Sequence, residues 1–94
     1  MVIVKFKIPG GEAKIGPLFA ALAELPKRIP GILHFSGGPY ASPEGLNQGF
    51  THGFLFTFES AGARDRYLSH PEHQKLVQEF IPFLESVLAF DFEE

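Results

Sequence analysis

Apolar residues recur along this chain with two different periods, and the switches between them outline a fold. Residues 2–7 alternate, with Val2, Val4 and Phe6 on one side of an extended segment and Ile3, Lys5 and Lys7 on the other. Pro9-Gly10-Gly11 ends that strand, because proline lacks a ladder donor and glycine suits turns. From Ile15 the spacing changes to three and four, so Ile15, Leu18, Phe19, Leu22, Leu25 and Ile29 form one helical stripe. Pro17 fits only in a first turn, which places the helix start near residues 14–17, and Pro30-Gly31 stops it. Ile32 to Ser36 reads as a short second strand on an edge, closed by a turn at Gly37-Gly38-Pro39. Residues 39–50 carry no period and read as a loop.

Alternation returns from His52 to Phe58, with His52, Phe54, Phe56 and Phe58 on one side and Gly53, Leu55 and Thr57 on the other. Ser60 is placed to cap a short helix carrying Ala63, Tyr67 and Leu68. His70-Pro71 breaks that helix and restarts it, with Pro71 as the first helical residue. Leu76, Val77, Phe80, Phe83 and Leu84 continue an apolar stripe that Pro82 bends or ends. Val87 to Phe92 is expected as the last strand, turning Leu88, Phe90 and Phe92 one way and Ala89 and Asp91 the other.

The order β-α-β-β-α-β predicts a ferredoxin-like α+β sandwich: a four-stranded antiparallel sheet with the first and third strands central. The even-numbered side of three strands is nearly all apolar and is expected beneath both helices. The opposite side mixes Ile3, Leu55 and Ala89 with Lys5, Lys7, Thr57 and Asp91, which suits either solvent or a second subunit. With the last strand beside the first, Lys5 or Lys7 is expected to meet Asp91 or Glu93 across the ladder.

Composition removes several classes of function. Ninety-four residues make one domain, 1–94, and 45% apolar content with eleven Phe excludes a disordered chain. Without cysteine there is no disulfide framework, thiolate metal site or cysteine nucleophile, which fits a reducing, cytoplasmic setting. No apolar run is long enough for a membrane span, and Met1 leads straight into strand-like residues, so neither a membrane segment nor a signal peptide is expected. A net charge of −3 with eight scattered Lys and Arg gives no basic stripe for nucleic acid.

Several local strings, in this order, carry a family resemblance: Val4-Lys5-Phe6-Lys7, Leu25-Pro26 through Ile29-Pro30-Gly31-Ile32, Ser42-Pro43-Glu44-Gly45-Leu46, Phe50-Thr51-His52, Thr57-Phe58-Glu59, Tyr67-Leu68-Ser69-His70-Pro71-Glu72-His73 and Phe90-Asp91-Phe92. Together they resemble the stress-responsive A/B barrel domain family over essentially the whole chain. That resemblance implies a dimeric α/β barrel, a homodimer in which the sheet packs on that of a second copy. It implies little about activity, since function lives in sites and not in folds. One enzymatic branch, the plant polyketide cyclases that work by aldol condensation, is similar at the Tyr67–His73 stretch. There Tyr67 and His73 match the catalytic tyrosine and histidine, and His52 matches a pocket histidine. The chain departs from that branch where a first-strand histidine falls before Met1 and where Leu22 replaces a pocket tyrosine.

The same residues have plainer readings. His73 suits a base that takes a proton beside a carbonyl, with Tyr67 donating to the oxyanion; equally, His73 caps a helix and Tyr67 packs in the core. His52, beside Phe54 on the apolar face, reads as a core or rim histidine or as part of a substrate pocket with Phe54 and Leu22. His70 reads as a helix cap, and His34 as solvated. His70 and His73 flank Glu72, but no third ligand accompanies them, so no metal and no cofactor are expected. The leading expectation is a stress-response-type barrel of unassigned activity that binds a small apolar or aromatic compound between sheet and helices. Its rival is a cofactor-free cyclase or isomerase built on His73 and Tyr67.

Overall fold

Val4 and Phe6 are almost fully buried while Ile3 and Lys5 beside them are only half-buried, so the alternation of residues 2–7 marks a two-sided strand. A computed structural model describes all of residues 1–94. It orders them as β1 (Val2–Phe6), α1 (Ile15–Arg28), β2 (Ile32–Pro39), β3 (His52–Phe58), α2 (Ala61–Ser69), α3 (Pro71–Phe80) and β4 (Leu84–Ala89). Single 3-10 turns at Glu12–Lys14 and Ile81–Phe83 lead into α1 and out of α3. The sheet is antiparallel throughout, in the order β2-β3-β1-β4, with the first and third strands central as the crossover rules require.

The helical stripe does what its spacing predicts. Leu18, Leu22 and Leu25 of α1 are buried, Ile29 follows at its end, and Phe56, Tyr67 and Phe80 join them from β3, α2 and α3. Pro17 lies in the first turn of α1, where its missing N–H costs nothing. Ser60 caps α2 through its Oγ, which accepts from the Ala63 N–H at 3.1 Å. His70 ends α2 and begins α3: its extended backbone stops one helix, and its Nδ1 accepts from the Glu72 N–H at 3.1 Å to start the next.

Three expectations are corrected. Strand β2 runs on to Pro39, so Gly37-Gly38-Pro39 is not a turn; these residues pair with Phe54, Gly53 and His52. A glycine is needed at 37 because a Cβ there would stand 2.8 Å from the Phe54 Cβ and 2.9 Å from the Phe19 ring, which crosses over the strand. The last strand is Leu84–Ala89, not Val87–Phe92, and the side chains expected inward on it turn outward. The cause is a bulge. Phe6 pairs with Leu84 but Lys5 pairs with Ser86, leaving Glu85 as the extra residue, and one extra residue exchanges the two faces for everything after it. Leu88 therefore pairs with Ile3, and Phe90 exchanges main-chain hydrogen bonds with Met1, both on the side away from the helices. Phe90 and Phe92 are 58% and 57% exposed and lie outside the core.

The charges also pair differently from the expectation. Lys5 meets Glu85 at 2.7 Å, not Asp91 or Glu93, and Asp91 instead stands 3.7 Å from the amino group of Met1.

Candidate functional site

Tyr67 sits near the end of α2 and His73 in the first turn of α3, on either side of the break at His70. The break folds the second segment back on the first, and the two rings come within 4.3 Å, centroid to centroid. Behind Tyr67 stand Phe58 at 5.1 Å and Phe56 at 5.5 Å, so β3 supplies an aromatic wall and the α2–α3 corner supplies the polar groups. The corner is held to α1 by Arg28, whose guanidinium lies 3.5 Å from the Glu72 carboxylate next to His73.

The hydrogen bond of His73 decides which of its nitrogens is free. Nδ1 lies 3.1 Å from the Leu68 carbonyl oxygen, which only accepts; in the neutral ring Nδ1 therefore carries the proton and Nε2 keeps its lone pair. Gln74 donates to the same carbonyl at 2.7 Å and helps to fix it. Tyr67 is only 8% exposed. Burial first, and then the negative charge of Asp91, push its hydroxyl up from an ordinary 10.0 to about 12, so it stays protonated at neutral pH. The pair thus combines an imidazole with a free basic nitrogen and a phenol that keeps its proton. Asp91, which the sequence presented as a cross-strand partner for Lys5 or Lys7, acts here on Tyr67 through its field.

This shifted hydroxyl has a measurable consequence. The folded chain holds the Tyr67 proton over a pH range in which the unfolded chain has already released it, so stability falls as pH rises from 10.0 towards about 12. The loss attributable to Tyr67 is expected to reach about 2–3 kcal/mol across that window. Urea unfolding should show the wild type losing stability relative to Tyr67→Phe as pH rises above 10.0, with the difference between them constant well below it.

His52 stands apart from this pair. It opens β3, four residues before Phe56, or about 13 Å along an extended strand. Its ring contacts Phe6 at 5.6 Å and Phe19 at 5.7 Å, and its Nδ1 lies 2.9 Å from the Thr51 hydroxyl. Leu22 is 1% exposed and Phe54 packs among Phe19, Phe35 and Phe56, so both belong to the packed interior. His34 is exposed on the outer side of edge strand β2. His70 and His73 spend their Nδ1 atoms on the Glu72 N–H and the Leu68 carbonyl, and no group of three His, Asp or Glu is gathered to hold a metal.

Two of the surface depressions bear on this site and its surroundings. The larger, about 560 Å³, lies beside the end of β3, past the last β1–β3 pair at Val2 and Phe54. Phe56, Phe58 and Arg64 form one wall and Asp91 and Phe92 the other. It therefore shares two aromatic residues and the influential carboxylate with the surroundings of Tyr67. The smaller, about 150 Å³, is a charged cleft between α1 and α3 that includes Glu24, Arg28, Glu72 and Lys75.

The sequence pattern that defines the Stress responsive A/B Barrel Domain matches residues 1–94, the entire chain. The chain belongs to this family. It is 34% identical over 93 residues to the stress-response A/B barrel domain-containing protein HS1 of Arabidopsis thaliana, covering 99% of this chain and 85% of that protein. It is 28% identical over 92 residues to olivetolic acid cyclase of Cannabis sativa, covering 98% and 91%. Among solved structures, a dimeric ferredoxin-like protein of unknown function from Jannaschia sp. CCS1 superimposes with a TM-score of 0.88 at 28% identity, over 99% of this chain and 94% of that one. The ferredoxin-like fold read from the order of elements is thus the fold of the family's solved members.

Proposed function

We propose that this A/B barrel protein works as a homodimer and performs cofactor-free acid/base chemistry on a small apolar or aromatic carbonyl compound. The observation that carries the reading is the contact of Tyr67 with His73, 4.3 Å between rings, with His73 Nδ1 committed to the Leu68 carbonyl. His73 Nε2 takes a proton from the carbon beside the carbonyl. The protonated Tyr67 hydroxyl donates a hydrogen bond to the oxygen on which negative charge develops. Burial, and then the charge of Asp91, keep that hydroxyl protonated. The resulting enolate then attacks a second carbonyl, as in a cyclisation, or is reprotonated elsewhere, as in an isomerisation. Phe56, Phe58 and Phe92 offer apolar surface for the rest of the molecule. Similarity to a polyketide cyclase supports this chemistry, and similarity to a dimeric ferredoxin-like protein supports the assembly.

A second reading drops the reaction and gives the chain a structural or interaction role. Its support is the dense packing between helices and sheet, where Leu22 and Ala63 are buried to 1% and 0% exposure and Tyr67 is largely covered. In that reading Tyr67 and His73 serve to hold the α2–α3 corner together.

The two readings part in deuterium oxide. Simple aryl ketones exchange their α-protons slowly at neutral pD, and NMR follows the exchange without knowledge of the final product. Wild-type protein is expected to accelerate exchange, and Tyr67→Phe to lower the acceleration by about 10²–10³-fold. No acceleration by the wild type would leave only the second reading.

A further inference from the structure

The side of the sheet away from the helices is nearly free of charge. Its outward positions are Ile3 and Lys5 on β1, His34, Ser36 and Gly38 on β2, Gly53, Leu55 and Thr57 on β3, and Ser86 and Leu88 on β4, with Phe90 beyond. Lys5 is the one Lys, Arg, Asp or Glu among them. Without an acid beside it, it would be a lone cation at the middle of an apolar surface, since its ladder partner is the hydroxyl residue Ser86. Glu85, the extra residue between Leu84 and Ser86, supplies that acid, with its carboxylate 2.7 Å from the Lys5 ammonium.

In the isolated chain such a pair contributes little. Its side chains are 43% and 54% exposed, and half-exposed ion pairs are worth under about 1 kcal/mol. Its effect is different when a second copy covers the face. A lone buried charge is strongly unfavourable there, whereas a charge already partnered within its own chain enters as a neutral, hydrogen-bonded unit. Two-fold symmetry doubles the effect, since each copy brings its own pair.

We infer that Glu85 neutralises Lys5 within each protomer so that the outer sheet face can be covered by a second copy of this chain. This inference rests on the homodimer reading above and adds what makes the face compatible with it. The ion pair is then a feature of assembly: it keeps an acid beside the only strand cation.

The test is a double-mutant cycle on the dimer dissociation constant, measured by sedimentation with circular dichroism as a check on folding. Lys5→Met and Glu85→Gln each leave one charge unpartnered, and each is expected to weaken the dimer by about 10–100-fold. The double variant Lys5→Met/Glu85→Gln should recover to within about threefold of wild type, because neither charge remains. The swapped variant Lys5→Glu/Glu85→Lys should also stay dimeric. Single variants as tightly dimeric as wild type, or a double variant whose loss is the sum of the singles, would overturn the inference while leaving the homodimer intact. A wild-type chain that sediments as a 10.4 kDa monomer at micromolar concentration would overturn both.

Discussion

His73→Ala is expected to reduce α-proton exchange and any downstream turnover by about 10²–10⁴-fold, the range for loss of a positioned general base. The effect should fall on kcat more than on KM, because the proton transfer is made only in the transition state. His73→Gln gives a sharper comparison. Its amide can still donate to the Leu68 carbonyl that now accepts from Nδ1, but it has no lone pair of useful basicity. A loss of similar size in both variants would assign the effect to the base and not to the shape of the corner. Added imidazole should restore part of the activity of His73→Ala and none of that of Tyr67→Phe. Unchanged rates in both His73 variants would remove His73 from the chemistry, whatever the fate of Tyr67.

Leu22→Ala is expected to cost about 2–5 kcal/mol of folding stability. Leu22 is among the most completely buried side chains, and it sits in the cluster formed by Val4, Leu18, Leu25, Phe56, Tyr67 and Phe80. Truncation leaves a cavity that a small domain has little spare packing to close. Chemical denaturation should show a lower midpoint at unchanged slope. This separates Leu22 from a pocket role, for which truncation would change ligand affinity at little cost to folding. A midpoint equal to that of the wild type would mean that the site collapses freely or opens to solvent.

The two halves of the candidate site differed in how far they could be read in advance. His70-Pro71 announces a break between helices, and Tyr67 and His73 flank it, so their approach follows once the second helix folds back. Their separation from His52 does not follow from pattern. His52 and Phe56 lie on the same side of one strand, and only the placement of α2 over the Phe56–Phe58 end decides which of them Tyr67 touches. Asp91 was harder still. It lies 24 positions beyond Tyr67, past the end of β4 at Ala89, and its influence is a long-range charge effect that leaves no local trace.

The errors in the fold have a common origin. Glycines at 37 and 38 favour a turn when judged by conformational freedom, yet β2 needs a glycine at 37 because the Phe19 ring passes directly above it. Phe90 and Phe92 look like core residues by composition, and a single bulged residue at Glu85 sends Phe90 to the other face.

From its residues alone, the chain determined the kind and order of its elements, the buried stripe of α1 and the inward side of β1 and β3. Those properties depend on spacings within one segment, where a period of two or of three to four has a unique meaning. Only the folded molecule decided the register of β4, the partner of Lys5, the company of Tyr67 and the extent of β2. Each of these is a relation between segments distant in sequence. A one-residue shift there exchanges the two faces of a strand without altering the hydrophobic pattern that a reader of the sequence has to work from.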